Sequence, residues 1–225
     1  MKGIQTNVLF NLTAGNTLAQ EYLKTTTYPW EALPKIADWI RAIGATLSEE
    51  AYDKVGEDVW IAKSAKVFPS AYIGGPCIVG ENAEVRHCAF VRGSALIGAG
   101  AVVGNSTELK NVILFDGVQV PHYNYVGDSI LGYKSHMGAG SITSNVKSDK
   151  TLVSIKDHED DTKIESGLKK FGAILGDHVE IGCGSILNPG TVIGQNTNVY
   201  PLSSVRGVVE KNSIYKRAGE VCDKR

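Results

Sequence analysis

The sequence predicts an all-β fold, a parallel β-helix of stacked three-sided coils, and three observations carry that prediction. An apolar residue recurs every six positions: Val55, Ile61, Val67, Ile73, Val79, Val85, Val91, Ile97, Val103, Leu109 and Phe115. Four positions after each of these comes a small or β-branched residue, as in Ala65, Ala71, Cys77, Ala83, Ala89, Ala95, Ala101 and Thr107. Glycine often follows the beat directly, as in Ile73-Gly74, Val79-Gly80, Ile97-Gly98 and Val103-Gly104. A period of six fits neither a helix face nor an alternating strand. It fits short strands joined by tight corners, with a large side chain pointing inward and a small one at the turn. Three hexads close one coil, and coils stack as parallel strands about 4.8 Å apart. Each inward aliphatic side chain contributes roughly 1.5–3 kcal/mol of burial, so the repeat supplies its own core.

Residues 1–27 carry little pattern, and Tyr28-Pro29 reads as a helix opening. The stretch "WEALPKIADWIRAIG" sets Leu33, Ile36, Ala37, Ile40 and Ile43 on one face, with Gly44 as a stop and Pro34 as a kink or first turn. Residues 1–54 are read as a helical N-terminal extension covering the end of the solenoid, and residues 55–225 as the β-helix domain. The beat stumbles in "FDGVQVPHYNYVGDS": the next step lands on Pro121, and the rhythm resumes at Leu131, ten residues later. That pattern predicts an insertion containing His122, one that opens a cleft and lifts the chain off the coil. After Met137 and Thr143 a second departure, about residues 145–171, reads as an extruded two-stranded arm built from "TLVSI" and "TKIESG", with "KDHEDD" at its tip. The beat returns at Leu175, Ile181, Leu187, Ile193, Val199 and Val205. Leu175 is in phase with Val55, so the two interruptions together are read as adding whole hexads.

Composition excludes several function classes. The formal net charge of -1 over 225 residues gives no field to recruit nucleic acid or an anionic membrane. The apolar run Val8-Leu9-Phe10 is too short for a signal peptide, and no run reaches the roughly 18 residues of a membrane span. Cys77, Cys88, Cys183 and Cys222 have no metal-binding spacing, so reduced cysteines in a cytoplasmic protein without a structural metal are expected.

Stacking converts spacing into geometry. Arg92 and Lys110 each follow a beat residue and lie eighteen apart, so they are expected as outward vertical neighbours. Two cations about 5 Å apart repel by about 3 kcal/mol at an effective dielectric of 20, and a bound phosphate relieves that repulsion. Glu108 shares their face and can pair with either. His122 is the candidate general base, able to accept a proton from an attacking amine or hydroxyl. Tyr123 and Tyr125 flank it as sugar contacts or hydrogen-bond donors.

The segment "PHYNYVGDSILGYKSHMGAGSITSN" resembles the acetyltransferase domain of bifunctional N-acetylglucosamine-1-phosphate uridylyltransferase / glucosamine-1-phosphate acetyltransferases. "SGLKKFGAILGDHVEIGCGSILNPGTVIG" is similar to the archaeal branch of that family, and the likeness covers about residues 55–215. The resemblance implies a left-handed β-helix and a homotrimer that binds acetyl-CoA between neighbouring subunits. It implies His122 as catalytic base, Glu108 as an active-site carboxylate that orients imidazole or amine, and Arg92 and Lys110 as phosphate ligands. Tyr125, Asn145 and an arm lysine, Lys150 or Lys147, become acceptor contacts. His136 stands where the family usually carries a sugar-contacting asparagine, which leaves the hexosamine unidentified. The Ala139 N–H is the implied oxyanion donor, and Arg206 the candidate for a CoA phosphate, with pantetheine along residues 175–205. The family's nucleotidyltransferase domain has no counterpart in residues 1–54, so uridylyltransferase activity is not expected from this chain.

The resulting expectation is an acetyl-CoA-dependent N-acetyltransferase acting on an amino-sugar phosphate, glucosamine-1-phosphate-like, or a related nucleotide sugar. One alternative is a non-catalytic trimer that binds a sugar phosphate or nucleotide sugar. Another is a γ-carbonic-anhydrase-like protein, which needs a histidine pair with four residues between them in addition to a third histidine. His87 and His122 are present, but position 127 is Gly127, so zinc is disfavoured.

Overall fold

A computed structural model describes residues 3–156 and 162–224 of the protein. The repeat forms a left-handed parallel β-helix of about eight coils. Face one stacks Val59–Ala62, Cys77–Val79 and Ala95–Ile97, then the far halves of two long bent strands, Glu108–Leu114 and Tyr125–Leu131. It continues through Ala173–Leu175, Thr191–Ile193 and Val208–Val209. Face two runs from Lys66–Val67 to Ser213–Arg217 and includes Gln119–His122 and His136–Met137. Face three carries Tyr72–Ile73, Phe90–Val91, the near halves of the bent strands, Ile142–Thr143, Ile186–Leu187 and Ser204–Val205. The inward positions are sealed: Val79, Val85, Val91, Ile97, Val103 and Leu109 are fully buried, as are the small corner residues Ala83, Ala95, Ala101 and Thr107.

The phase break has a different origin from the one expected. Leu114 pairs with Ile97, and Leu131 with Leu114, each seventeen residues on. Val120 pairs with Val103 and Val126 with Leu109, so the inward beat runs Leu109, Leu114, Val120, Val126, Leu131. Nothing is inserted at His122, whose strand pairs in register with Val102–Asn105. Instead, the corner from face three to face one loses one residue in two successive coils, after Leu109 and again after Val126. The ten-residue gap comes from counting from Phe115, which is buried but packs against Phe10, the rings tilted with centroids 4.8 Å apart. The return to phase at Leu175 is a coincidence of two deletions and one long insertion.

Two boundary expectations also change. Val55 is exposed on Tyr52–Gly56, a strand antiparallel to Val59–Ala62, so the inward beat begins at Ile61. The N-terminal extension lies mainly along face one, and its last residues, 52–54, pair antiparallel with Val59–Ala62 at the solenoid's first coil. It comprises short helices Thr6–Leu9 and Gln20–Leu23, a 3-10 turn Pro29–Lys35 containing Pro34, and the helix Ile36–Gly44. The helix packs on the strands of face one, and Trp30 meets Phe171 in a tilted ring contact, centroids 5.6 Å apart. Farther up, Asp177 accepts the Asn11 N–H and its own N–H donates to the Leu9 carbonyl. This covering explains a second aliphatic series on face one: Ile78, Leu96, Ile113, Ile130, Ile174 and Val192 point outward yet are fully buried. At about 25 cal/mol per Å² of apolar surface, that sequestration makes the extension integral to the domain.

The arm forms as two antiparallel strands, Ser154–Lys156 and Lys163–Glu165, with Val153 and Ile155 buried at its base. Of the tip "KDHEDD", residues 157–161 lie outside the described residues. The four cysteines carry free thiols, and burial pushes that of Cys77 up to about 12. Among the described residues no helix is long and apolar enough to cross a membrane.

Candidate functional site

With Leu109 and Val126 pointing inward, their neighbours Glu108, Lys110, Tyr125 and Gly127 point out of face three. Register aligns Glu108 with Phe90 and Leu109 with Val91, which sets Arg92 beside Lys110 as the repeat requires. Both cations carry a carboxylate partner. Arg92 Nη1 donates to Glu108 Oε1 at 2.8 Å, with side chains 50% and 32% exposed. That bond, with the Glu108 charge, raises the Arg92 pKa further. Lys110 Nζ donates to both oxygens of Asp128, at 2.8 and 3.0 Å, with side chains 27% and 5% exposed. The repulsion expected between bare cations is therefore relieved inside the protein, by two carboxylates. Glu108 is bonded to Arg92, and among the described residues it makes no hydrogen bond to the His122 imidazole.

The shortened corners explain why Asp128 is there. In the regular corner Val91 is followed by Arg92, Gly93 and Ser94 before Ala95; in the next coil Asn111 alone takes the place of that Gly93-Ser94 pair. Asn111 and, one coil on, Asp128 adopt left-handed φ values of 57° and 48°, where a short polar side chain bonds locally. Asn111 Nδ2 donates to Asp128 Oδ1 at 2.9 Å and to the Leu33 carbonyl at 3.1 Å. Asn145 Nδ2, at the root of the arm, donates to Asp128 Oδ2 at 2.6 Å and to the Tyr125 hydroxyl at 3.2 Å. Gly127 makes that last contact possible, because a Cβ there would stand 2.5 Å from the Tyr125 hydroxyl. Burial, helped by the Asp128 charge and opposed by the Asn145 bond, raises the Tyr125 pKa, keeping a neutral hydroxyl as donor.

His122 lies across the corner between faces two and three. Gly104 on the coil below has no Cβ, and one would collide with the Pro121 backbone. The His122 N–H donates to Asn124 Oδ1 at 3.1 Å, and buried Asn124 is anchored in turn to Gly138 and Ser141. The imidazole is exposed and makes no hydrogen bond or ion pair among the described residues. The His122 carbonyl accepts the Gly140 N–H at 3.0 Å, which places Ala139 on the adjacent coil.

The structure thus brings together Arg92, Glu108, Lys110, Tyr125 and Asn145, and separately His122 and Ala139. Others stand apart. His136 projects from face two, where its Nδ1 meets Glu180 Oε2 at 2.8 Å, and it has no contact with the face-three cluster. Lys147 donates to Thr151 Oγ1 at 2.6 Å within the arm, while Lys150 is exposed at φ 59°. Arg206 donates to Asn188 Oδ1 at 3.2 Å beside a cavity of about 610 Å³ lined by Ser204, Val209, Tyr215 and Val221. Asp128 and Asn111 were not singled out by the sequence, although the five-residue steps from Leu109 to Leu114 and from Val126 to Leu131 mark their corners. Among the described residues no group of three or more His, Cys, Asp or Glu side chains is arranged to hold a metal ion.

These features define a hexapeptide-repeat solenoid with a paired-cation site on one face. The family model described as the GMPPB C-terminal domain matches residues 73–210, and the chain belongs to that family. It is 35% identical over 118 residues to the "Bifunctional protein GlmU" of Methanococcus vannielii, a match covering 52% of this chain and 28% of that protein. It is 32% identical over 108 residues to the "Bifunctional sugar-1-phosphate nucleotidylyltransferase/acetyltransferase" of Sulfurisphaera tokodaii, covering 48% of this chain and 26% of that one. The chain therefore spans little more than a quarter of these curated relatives. The family resemblance read from the sequence holds in these matches. Among solved structures it is similar to a hexapeptide transferase family protein from Anaplasma phagocytophilum, at 16% identity and TM-score 0.47, covering 73% of this chain and 78% of that one. It is also similar to the acetyltransferase domain of PglB from Neisseria gonorrhoeae in complex with acetyl coenzyme A, at 18% identity and TM-score 0.38, covering 74% and 57%.

Proposed function

We propose that the protein transfers an acetyl group from acetyl-CoA to the amino group of an amino-sugar phosphate, working as a homotrimer. The observation that supports this best is the placement of two outward cations, Arg92 and Lys110, on neighbouring coils with Tyr125 and Asn145, one corner from an unbonded imidazole. Relatives whose names join sugar-1-phosphate nucleotidylyl transfer to acetyl transfer support the substrate class.

In this reading Arg92 and Lys110 hold the acceptor phosphate through donors left over from their carboxylate bonds, since a guanidinium has five N–H groups and an ammonium three. The acceptor nitrogen attacks the thioester carbonyl and gives its proton to His122. The N–H of Ala139 stabilises the oxyanion, and CoA leaves as the C–S bond breaks. An imidazole without a competing partner suits that step, because no existing bond has to be broken before it accepts a proton. Arg206, beside its cavity, is the candidate contact for a CoA phosphate.

The test is thiol release from acetyl-CoA with a panel of amino-sugar phosphates and their unphosphorylated counterparts. The reading expects turnover with a phosphorylated acceptor, and a molar mass of three chains by light scattering. Phosphate-ester binding without thiol release would leave a binding protein in its place. A monomer at micromolar concentration would remove the shared-site arrangement.

A further inference from the structure

The carboxylate of Asp128 is a polar centre that acetyl transfer, as described so far, does not use. It is nearly sealed from solvent, yet its two oxygens collect three side chains from three parts of the chain. Lys110 Nζ comes from the face-three strand, at 2.8 and 3.0 Å. Asn111 Nδ2 comes from the shortened corner below, at 2.9 Å, while also bonding the Leu33 carbonyl of the N-terminal extension. Asn145 Nδ2 comes from the root of the arm, at 2.6 Å, and passes the contact on to the Tyr125 hydroxyl at 3.2 Å. The Asp128 carbonyl accepts the Gly172 N–H at 2.8 Å, where the chain returns from the arm. Arg92 contrasts with this: its partner Glu108 lies on the exposed face and bonds no other described side chain.

We propose that Asp128 is the positioning residue of the acceptor site, acting through Lys110 and Asn145, and that Asn111 links it to the N-terminal extension. This rests on the acceptor-site reading above. A lysine on four rotatable bonds loses much rotamer freedom when it grips a ligand. Asp128 holds that ammonium in place before the ligand arrives, leaving a donor free to face outward. The same carboxylate fixes the Asn145 amide, and with it the Tyr125 hydroxyl, so three acceptor contacts share one anchor. Its negative charge opposes an incoming phosphate, but it is already compensated by Lys110 at hydrogen-bond distance. Ordering is therefore the larger effect, and the sign of the kinetic change tests it.

The experiment is a double-mutant cycle between Asp128→Asn and Lys110→Ala, with KM measured for glucosamine 1-phosphate and for acetyl-CoA. Asp128→Asn is expected to raise the acceptor KM by about 10-fold or more and leave the acetyl-CoA KM unchanged. In the Lys110→Ala background the same change should raise the acceptor KM by a clearly smaller factor, since one of the groups it positions is gone while Asn145 and Tyr125 remain. An equal rise in both backgrounds would make Asp128 a scaffold residue, and a fall in KM would make it a repelling charge; either overturns the proposal. Should Asp128→Asn fail to fold, Asn111→Gly keeps the left-handed corner while removing one donor, and an acceptor KM rise of about 2- to 5-fold is expected. No rise would overturn it equally. If wild type turns over no amino-sugar phosphate, acetyl transfer is the reading that fails. Positioning is then decided by titrating inorganic phosphate, where affinity should be about tenfold weaker in Asp128→Asn and equal affinities would sink it.

Discussion

Two corners of the same coils handle polar groups in opposite ways. Where face three turns into face one, each of two coils has lost a residue, and Asn111, Asp128, Lys110 and Asn145 bond one another around a buried carboxylate. Where face two turns into face three, the coil keeps its full hexad, and Asn124 ties down the backbone while the His122 imidazole stays free. Groups that hold a ligand profit from being immobile, because ordering them beforehand removes an entropic cost of binding. A proton acceptor profits from having an open lone pair. One missing residue per coil separates the two designs.

The sharpest break between the corners is expected at His122. His122→Ala should lower kcat by about 10²–10⁴-fold and leave stability within about 0.5 kcal/mol, since no described side chain depends on it. Parallel kinetics and urea unfolding check both halves, and a large loss of stability would mean that this corner is tied down as well.

Lys110→Ala should be the most destabilising of these changes, by about 3 kcal/mol, because it leaves the Asp128 carboxylate buried with only two amides. The urea midpoint reads this directly. The buried Asp128 partner thus adds a structural effect to the kinetic one expected from loss of a phosphate contact.

Arg92→Ala should separate binding from stability. Its pair with Glu108 is half exposed, so the stability change should stay below about 1 kcal/mol. The acceptor KM should nevertheless rise on the order of 10- to 150-fold with acetyl-CoA KM unmoved. Equal losses with phosphorylated and unphosphorylated acceptors would show that Arg92 serves something other than phosphate.

Asp116 gives the smallest and most specific contrast. It sits at a regular corner, accepts the Ala99 N–H at 2.7 Å and has no cation partner among the described residues, and burial raises its pKa. A carboxyl raised in the folded state favours folding most fully below the unfolded aspartate value of about 3.9, and that contribution is lost as pH rises through the raised value. The stability of wild type relative to Asp116→Asn should therefore decline with rising pH across that window. Urea midpoints taken through the acid range would show it, and a difference independent of pH would place the carboxyl in water.

The solenoid was legible because its signal is periodic: in a coil, one inward aliphatic residue per hexad is a requirement repeated along most of the chain. The same logic carried Arg92, Lys110 and Glu108 onto one face, since residues a coil apart must stack; Tyr125, seventeen residues beyond Glu108, joined them only through the shortened corner. The covered face was also written in the sequence, as the pairs Ile78-Val79, Leu96-Ile97, Ile113-Leu114 and Ile130-Leu131 at every third hexad, although a single beat residue had been followed. What periodicity could not decide was phase. Phe115 and Leu114 are adjacent and both buried, and choosing between them needed the strand pairing that sets Leu114 on Ile97. From that choice follow the two short corners, the left-handed Asn111 and Asp128, and the partners of both cations. Those partners come from residues 16 and 18 positions away, and the packed extension from farther still. Tertiary structure alone decided them, because a hydrogen bond depends on where two atoms meet in space, and a slip of one residue in a corner moves every atom beyond it.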